Sequence, residues 1–179
     1  MSNNEQNNYN KIEGINYSLL KEYHKSPMHF KYAIDNPRVS TEAQVLGTLT
    51  HSLILEPDTV KDDFTIIDLS QRPDTTKDFR SNENKIWKQE LIEDAARHGK
   101  TIVDGETFET ATKMANNVLS NPVIKALLDK AVIEKGITWT DPMTGLKCKG
   151  RPDAWVEDKD LIIDIKTTIS AHPNDFQRS

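Results

Sequence analysis

The residue types best suited to chemistry cluster between Lys149 and Thr168. Asp164 and Lys166 stand two apart in Leu161-Ile-Ile-Asp-Ile-Lys-Thr-Thr168, and Asp153 lies upstream in Lys149-Gly-Arg-Pro-Asp153. Side chains two apart on a strand leave the same face, so Asp164 and Lys166 share one side while Ile163 and Ile165 point to the other. Two carboxylates and an ammonium gathered on a buried sheet are costly unless something compensates them. A divalent cation would do so, because carboxylates are hard oxygen ligands.

The elements that must position these groups are legible around them. Two apolar-rich runs flank the charged turn Glu157 to Asp160, which predicts a β-hairpin with strands from about Lys147 to Val156 and from Leu161 to Thr167. Such a hairpin brings Asp153 beside Asp164. With Lys135 to Thr140 ahead of the Asp141-Pro-Met-Thr-Gly145 turn, the three runs form an antiparallel β-meander. The run Leu161 to Ile165 is apolar enough to be buried on both faces.

The pattern resembles the PD-(D/E)XK nuclease superfamily, with Pro152-Asp153 as the first half and Asp164-Ile165-Lys166 as the second. A D-x-K triplet alone should occur by chance about once in a chain of this length. Glu83-Asn84-Lys85 also fits, but it sits in a polar helical run with no apolar strand beneath it. A wider order of residues narrows the resemblance. Ser26-Pro27, Thr41, Leu46-Gly47-Thr48 and His51-Ser-Leu-Ile-Leu-Glu-Pro57 come first, then Glu134, Trp139 and Thr144-Gly145, then Lys149 to Thr168. From about Ile15 to Thr168 this is similar to the nuclease domain of RecE-type exonuclease VIII, a family common in phages and prophages.

The resemblance implies an α/β (α+β) restriction-endonuclease-like core, with N-terminal helices followed by the β-meander that carries the metal site. It implies His51, Asp153, Asp164 and the backbone carbonyl of Ile165 as ligands of Mg²⁺, with Mn²⁺ also suited to the histidine. Lys166 would orient or help deprotonate a metal-bound water. The activity implied is 5′ to 3′ exonuclease action on double-stranded DNA ends in phage-type recombination, with a single-strand annealing protein as partner; a sheet edge left uncovered after the third strand separately predicts self-association into a homo-oligomer. Glu134 either lies near the metal or only precedes a strand. Arg151 either contacts a phosphate or pairs with a carboxylate. Thr167 either touches the substrate through its hydroxyl or is there for strand propensity. The alternatives are an inert nuclease-fold module for DNA binding or assembly, and a site-specific endonuclease of the same superfamily. The family continues beyond the lysine strand, so a domain spanning 15–179 is expected to be incomplete at its C-terminal end, with poor solubility or low activity.

Ahead of the sheet, caps and periodicity predict helices over Ile15 to His24, from Ser26-Pro27 to Asn36, Ser40 to Leu55, Lys77 to His98, Gly105 to Leu119 and Asn121 to Leu128. In the third of these Leu46, Leu49, Leu53 and Ile54 make the apolar stripe. His51 lies on the far side with Gln44, Gly47 and Thr48. Phe64 to Ile67 and Thr101 to Val103 read as short strands. Met1 to Asn10 is polar and asparagine-rich, and residues 1–14 read as a disordered leader. Ser170 to Ser179 reads as loop.

Length sets one domain for the 179 residues. The single cysteine, Cys148, excludes a disulfide framework and a cysteine-held cluster, and reads as a small buried residue. Neither a transmembrane run nor an N-terminal apolar signal is present, which points to the cytoplasm of a bacterial host and away from membranes. The net charge of −5 leaves DNA binding to a local basic groove and a metal ion. Trp139 and Trp155 read as core residues rather than stacking platforms.

Overall fold

The computed structural model of the chain describes residues 9, 11–36, 40–75, 81–170 and 172–176. Its helices start where side chains can satisfy the orphan N–H groups of a first turn. Asn16 accepts from the Leu19 N–H at 2.9 Å and opens α1 (Tyr17–Lys25). Ser26 caps α2 (Pro27–Asp35), with Pro27 at the first position. Thr41 and Gln44 form a reciprocal capping box at the start of α3 (Glu42–Leu55).

The core forms on one side of α3. Leu49 is completely buried with Val60, Phe64, Val103 and Ala111, and Val45, Leu46, Leu53 and Phe108 pack against them. A one-turn α4 (Val60–Asp63) leads into β1 (Phe64–Ile67). The long α5 (Asn82–His98), capped by Ser81, returns the chain to β2 (Thr101–Asp104), which pairs parallel to β1. The helix predicted from Lys77 thus begins at Asn82, and 76–80 lie outside the described residues. Gly99 takes φ +65° to end α5, a left-handed geometry that glycine adopts without a Cβ penalty. Next comes α6 (Gly105–Leu119), whose buried Ala111 and Ala115 let it lie close to α3. A short α7 (Pro122–Leu128), capped by Asn121, completes the helical part.

The β region departs from a continuous meander. β4 (Ile137–Thr140) and β5 (Lys147–Gly150) form one antiparallel pair, while β3 (Val132–Ile133), β6 (Ala154–Val156) and β7 (Leu161–Ile163) form a separate three-stranded antiparallel sheet. The single strand predicted from Leu146 to Val156 is therefore two strands, broken at Arg151-Pro152-Asp153. Proline has no N–H for a ladder and its ring fixes φ, so the chain leaves one sheet there and joins the other.

β7 is also shorter than expected and stops before Asp164. Ile162 is 59% exposed, so this run is not buried on both faces: the face of β7 that carries Ile162 is open to solvent. Alternation nevertheless persists past the strand end. Ile163, Ile165 and Thr167 are half-buried, while Ile162, Asp164 and Lys166 are exposed.

The expected turn is present, with Gly145 at φ +69°. A short α8 (Pro173–Phe176) stands where a loop was expected. Of the predicted leader, 1–8 and 10 lie outside the described residues. Tyr9 and Ile12 offer carbonyls to Lys149, and Glu13 pairs with Lys147 at 2.7 Å. Among the described residues no helix is long and apolar enough to cross a membrane.

Candidate active site

The face of α3 opposite its core stripe carries Gly47, Thr48, His51 and Ser52, and these residues form one wall of a cavity of about 300 Å³. Asp63 and Phe64, at the junction of α4 and β1, and Thr101 of β2 contribute to it. So do Glu134, Arg151 and Asp153, around the break between β5 and β6. Helical spacing thus placed His51 correctly: core on one side, cavity on the other.

A closed set of contacts joins three distant parts of the chain here. The Nε2 atom of His51 lies 2.5 Å from the carbonyl oxygen of Ile165, 114 positions along the sequence. Its Nδ1 atom lies 3.7 Å from Asp153 Oδ2. The same Asp153 oxygen accepts the Ile165 N–H at 2.6 Å. A carbonyl oxygen only accepts, so Nε2 carries the proton in this contact. Both His51 and Asp153 are largely withdrawn from water, with side-chain exposures of 23% and 17%.

Glu134 stands beside this set. Its backbone N–H donates to the Asp153 carbonyl at 2.9 Å, which ties the end of β3 to the residue before β6. It takes φ +47°, a left-handed conformation that costs a non-glycine residue roughly 1–3 kcal/mol. Its Oε2 atom is buried without a hydrogen-bond partner, though Arg151 Nε stands 3.7 Å away. The Arg151 guanidinium also lies 4.9 Å from the ring centre of Tyr9.

Asp164 and Lys166 make a different arrangement. Their side chains are joined at 2.8 Å, are 57% and 65% exposed, and do not line the cavity. Among the described residues no group of three His, Cys, Asp or Glu side chains is gathered so as to hold a metal ion. The structure therefore brings together His51, Asp153 and the Ile165 backbone, with Glu134 and Arg151 beside them, and pairs Asp164 with Lys166. The donor chemistry still fits a hard divalent cation. A buried carboxylate oxygen without a hydrogen-bond partner on Glu134, the Asp153 carboxylate and the Ile165 carbonyl are oxygen ligands, and a neutral imidazole suits Mn²⁺.

Thr167 enters through a close approach. A Cβ on Gly47 would stand 3.1 Å from Thr167 Oγ1, so glycine lets the segment after β7 lie against α3. Gly47→Ala sets a gain in helix propensity of up to about 1 kcal/mol against that contact. The expected result is a thermal midpoint within a few degrees of the original and, for any hydrolysis carried out at this cavity, a roughly tenfold loss of rate. That is smaller than the roughly 100-fold effect of a 1 Å misplacement. Adding Thr167→Ala should restore the spacing, and a double variant no better than Gly47→Ala would show that the contact is not the cause.

Asp63, Phe64 and Thr101 carry no local signal as cavity residues, because the parallel pairing of β1 with β2 brings them there. Lys149 was missed too. It, rather than Cys148, is the buried residue of β5: Cys148 is half-buried, whereas Lys149 is 8% exposed. Its ammonium donates to the Tyr9 and Ile12 carbonyls at 3.2 and 2.8 Å and lies 4.9 Å from the Tyr9 ring centre. Those partners offset the cost of burying the charge.

A family model described as a PDDEXK-like domain of unknown function (DUF3799) matches residues 16–179. No curated protein matches the chain.

Proposed function

Because the chain belongs to the PDDEXK-like domain family, which has a nuclease-type fold, we propose that it hydrolyses DNA phosphodiesters with a divalent metal ion, working exonucleolytically from duplex ends. The observation that supports this reading is the closed set His51–Ile165–Asp153 at the wall of a cavity that also holds Glu134 and Arg151.

In this reading His51, Asp153 and the Ile165 carbonyl would hold Mg²⁺ or Mn²⁺ with Glu134 close by, and Asp164 would join them on leaving its pairing with Lys166. When bound, the ion lowers the pKa of a coordinated water toward about 7. Lys166 would orient the attacking water through its ammonium, whose positive charge favours loss of the water's proton to solvent. Arg151 supplies N–H donors to a non-bridging phosphate oxygen, and Thr167 a hydroxyl. Digestion from 5′ to 3′, a place in phage-type recombination in the host cytoplasm, an annealing-protein partner and self-association complete the proposal. The first three rest on the resemblance to the RecE-type nuclease domain, and self-association on the exposed face of β7.

The test compares linear duplex DNA with covalently closed circles, in Mg²⁺ and in EDTA. Linear DNA should be degraded and circles spared, with all activity lost in EDTA. Cutting of circles would instead favour a site-specific endonuclease. The inert DNA-binding or assembly module is favoured by the Asp164–Lys166 pairing, which leaves the second motif carboxylate engaged by an ammonium. Calorimetry with Mn²⁺ separates the two. Heat that is lost in Asp164→Ala supports the metal site, and absence of heat in both proteins, with DNA binding retained, supports the inert module.

A further inference from the structure

A second groove adjoins the cavity, and Arg151 lines both. It measures about 490 Å³ and runs between α1, the Tyr9 segment and the β4–β5 pair. Its floor is set by backbone pairing. Ile15 bridges in parallel to Cys148, exchanging hydrogen bonds of 2.9 and 3.0 Å with Lys147 and Lys149, so the start of α1 is fixed against β5. Three aromatic side chains stand around it: Tyr9, Tyr17 and Trp139. Tyr17 is 77% and Trp139 49% exposed, far more than a core role would leave open. The Trp139 ring lies over Gly150, where an added Cβ would be 3.4 Å from it, so the missing side chain gives the indole its place. Cations lie at the groove's inner side, with the Arg151 guanidinium and Lys149 ammonium each 4.9 Å from the Tyr9 ring centre.

We propose that this groove takes the unpaired bases of a single DNA strand, with Trp139 and Tyr17 stacking on them and Arg151 passing the backbone between groove and cavity. The claim that the strand continues into the cavity rests on the nuclease reading; the binding of bases does not. Aromatic faces beside cations are the combination that binds single strands without sequence preference, because every base offers a π face and every linkage a negative charge. A duplex, with its bases stacked on each other, offers no such faces, so the groove selects a frayed or digested end.

The test is fluorescence anisotropy of fluorescein-labelled oligo(dT) with the full chain in EDTA, where no hydrolysis intervenes. Trp139→Ala and Tyr17→Ala should each weaken binding by roughly 5- to 150-fold, the range for loss of one stacked base. Trp139→Phe should stay within a few-fold of the original. Both side chains are well exposed, so circular dichroism should show the alanine variants folded. Unchanged affinity in both alanine variants, or no oligo(dT) binding by the original chain, overturns the proposal. Asp153→Asn keeps the two readings apart. It should bind oligo(dT) normally in EDTA while failing to cut. A chain that binds through Trp139 but cuts no DNA in any metal sinks the nuclease reading alone, and one that cuts DNA while both alanine variants bind normally sinks the groove alone.

Discussion

Asp153→Asn is expected to lower DNA hydrolysis by about 10³-fold or more and to lower stability as well. The carboxylate has two roles. Its Oδ2 accepts the Ile165 N–H at 2.6 Å and faces His51 Nδ1 at 3.7 Å, and in the proposed mechanism it is also a metal ligand. Removing one preorganised charged group at a reacting centre costs about 10²–10³ in rate, and loss of a metal ligand adds to that. A hydrogen bond to a charged group contributes about 1.5–3 kcal/mol. Asparagine keeps an oxygen for the Ile165 N–H, so the loss of stability should be about 1–2 kcal/mol. Rates on linear duplex DNA and urea midpoints measure the two effects. A variant that cuts at the original rate removes Asp153 from the site.

Lys166→Met should separate the same two quantities. The ammonium is 65% exposed and its partner Asp164 57% exposed, and a surface pair of this kind contributes about 0–1 kcal/mol. Stability should therefore stay within about 0.5 kcal/mol of the original. If Lys166 orients the attacking water, the rate should fall by about 10²–10⁴-fold, the range for a positioned acid–base group. An ordinary surface ion pair predicts that neither quantity moves. Unchanged hydrolysis in Lys166→Met would leave Asp164 and Lys166 as a surface ion pair.

Local chemistry was the most legible part of this sequence. Asn16, Ser26, Thr41 and Asn121 each cap a helix whose start was expected nearby, because capping is decided within a few residues. His51 was placed on the correct face of α3 by 3.6-residue spacing alone. The pairing of Pro152-Asp153 with Asp164-Ile165-Lys166 pointed to the superfamily that the family match also indicates. Long-range effects were harder to read. Pro152 splits a predicted strand between two sheets, and nothing local says which neighbour each half will choose. Lys149 is buried only because Tyr9 and Ile12, far away in sequence, provide its partners, and nothing local shows that. Trp139 reads as core by composition, yet the two-stranded β4–β5 pair leaves it half open.

Ile165 joins the site through its peptide unit, with the N–H given to Asp153 and the C=O to His51. Its side chain is free of either duty. Exchanging that half-buried side chain leaves the two polar links in place, so an alanine scan reads only its packing. Only changes to the main chain would expose the links. Proline, which lacks the N–H, would break the first link, and an ester in place of that amide would do so with almost no change of shape.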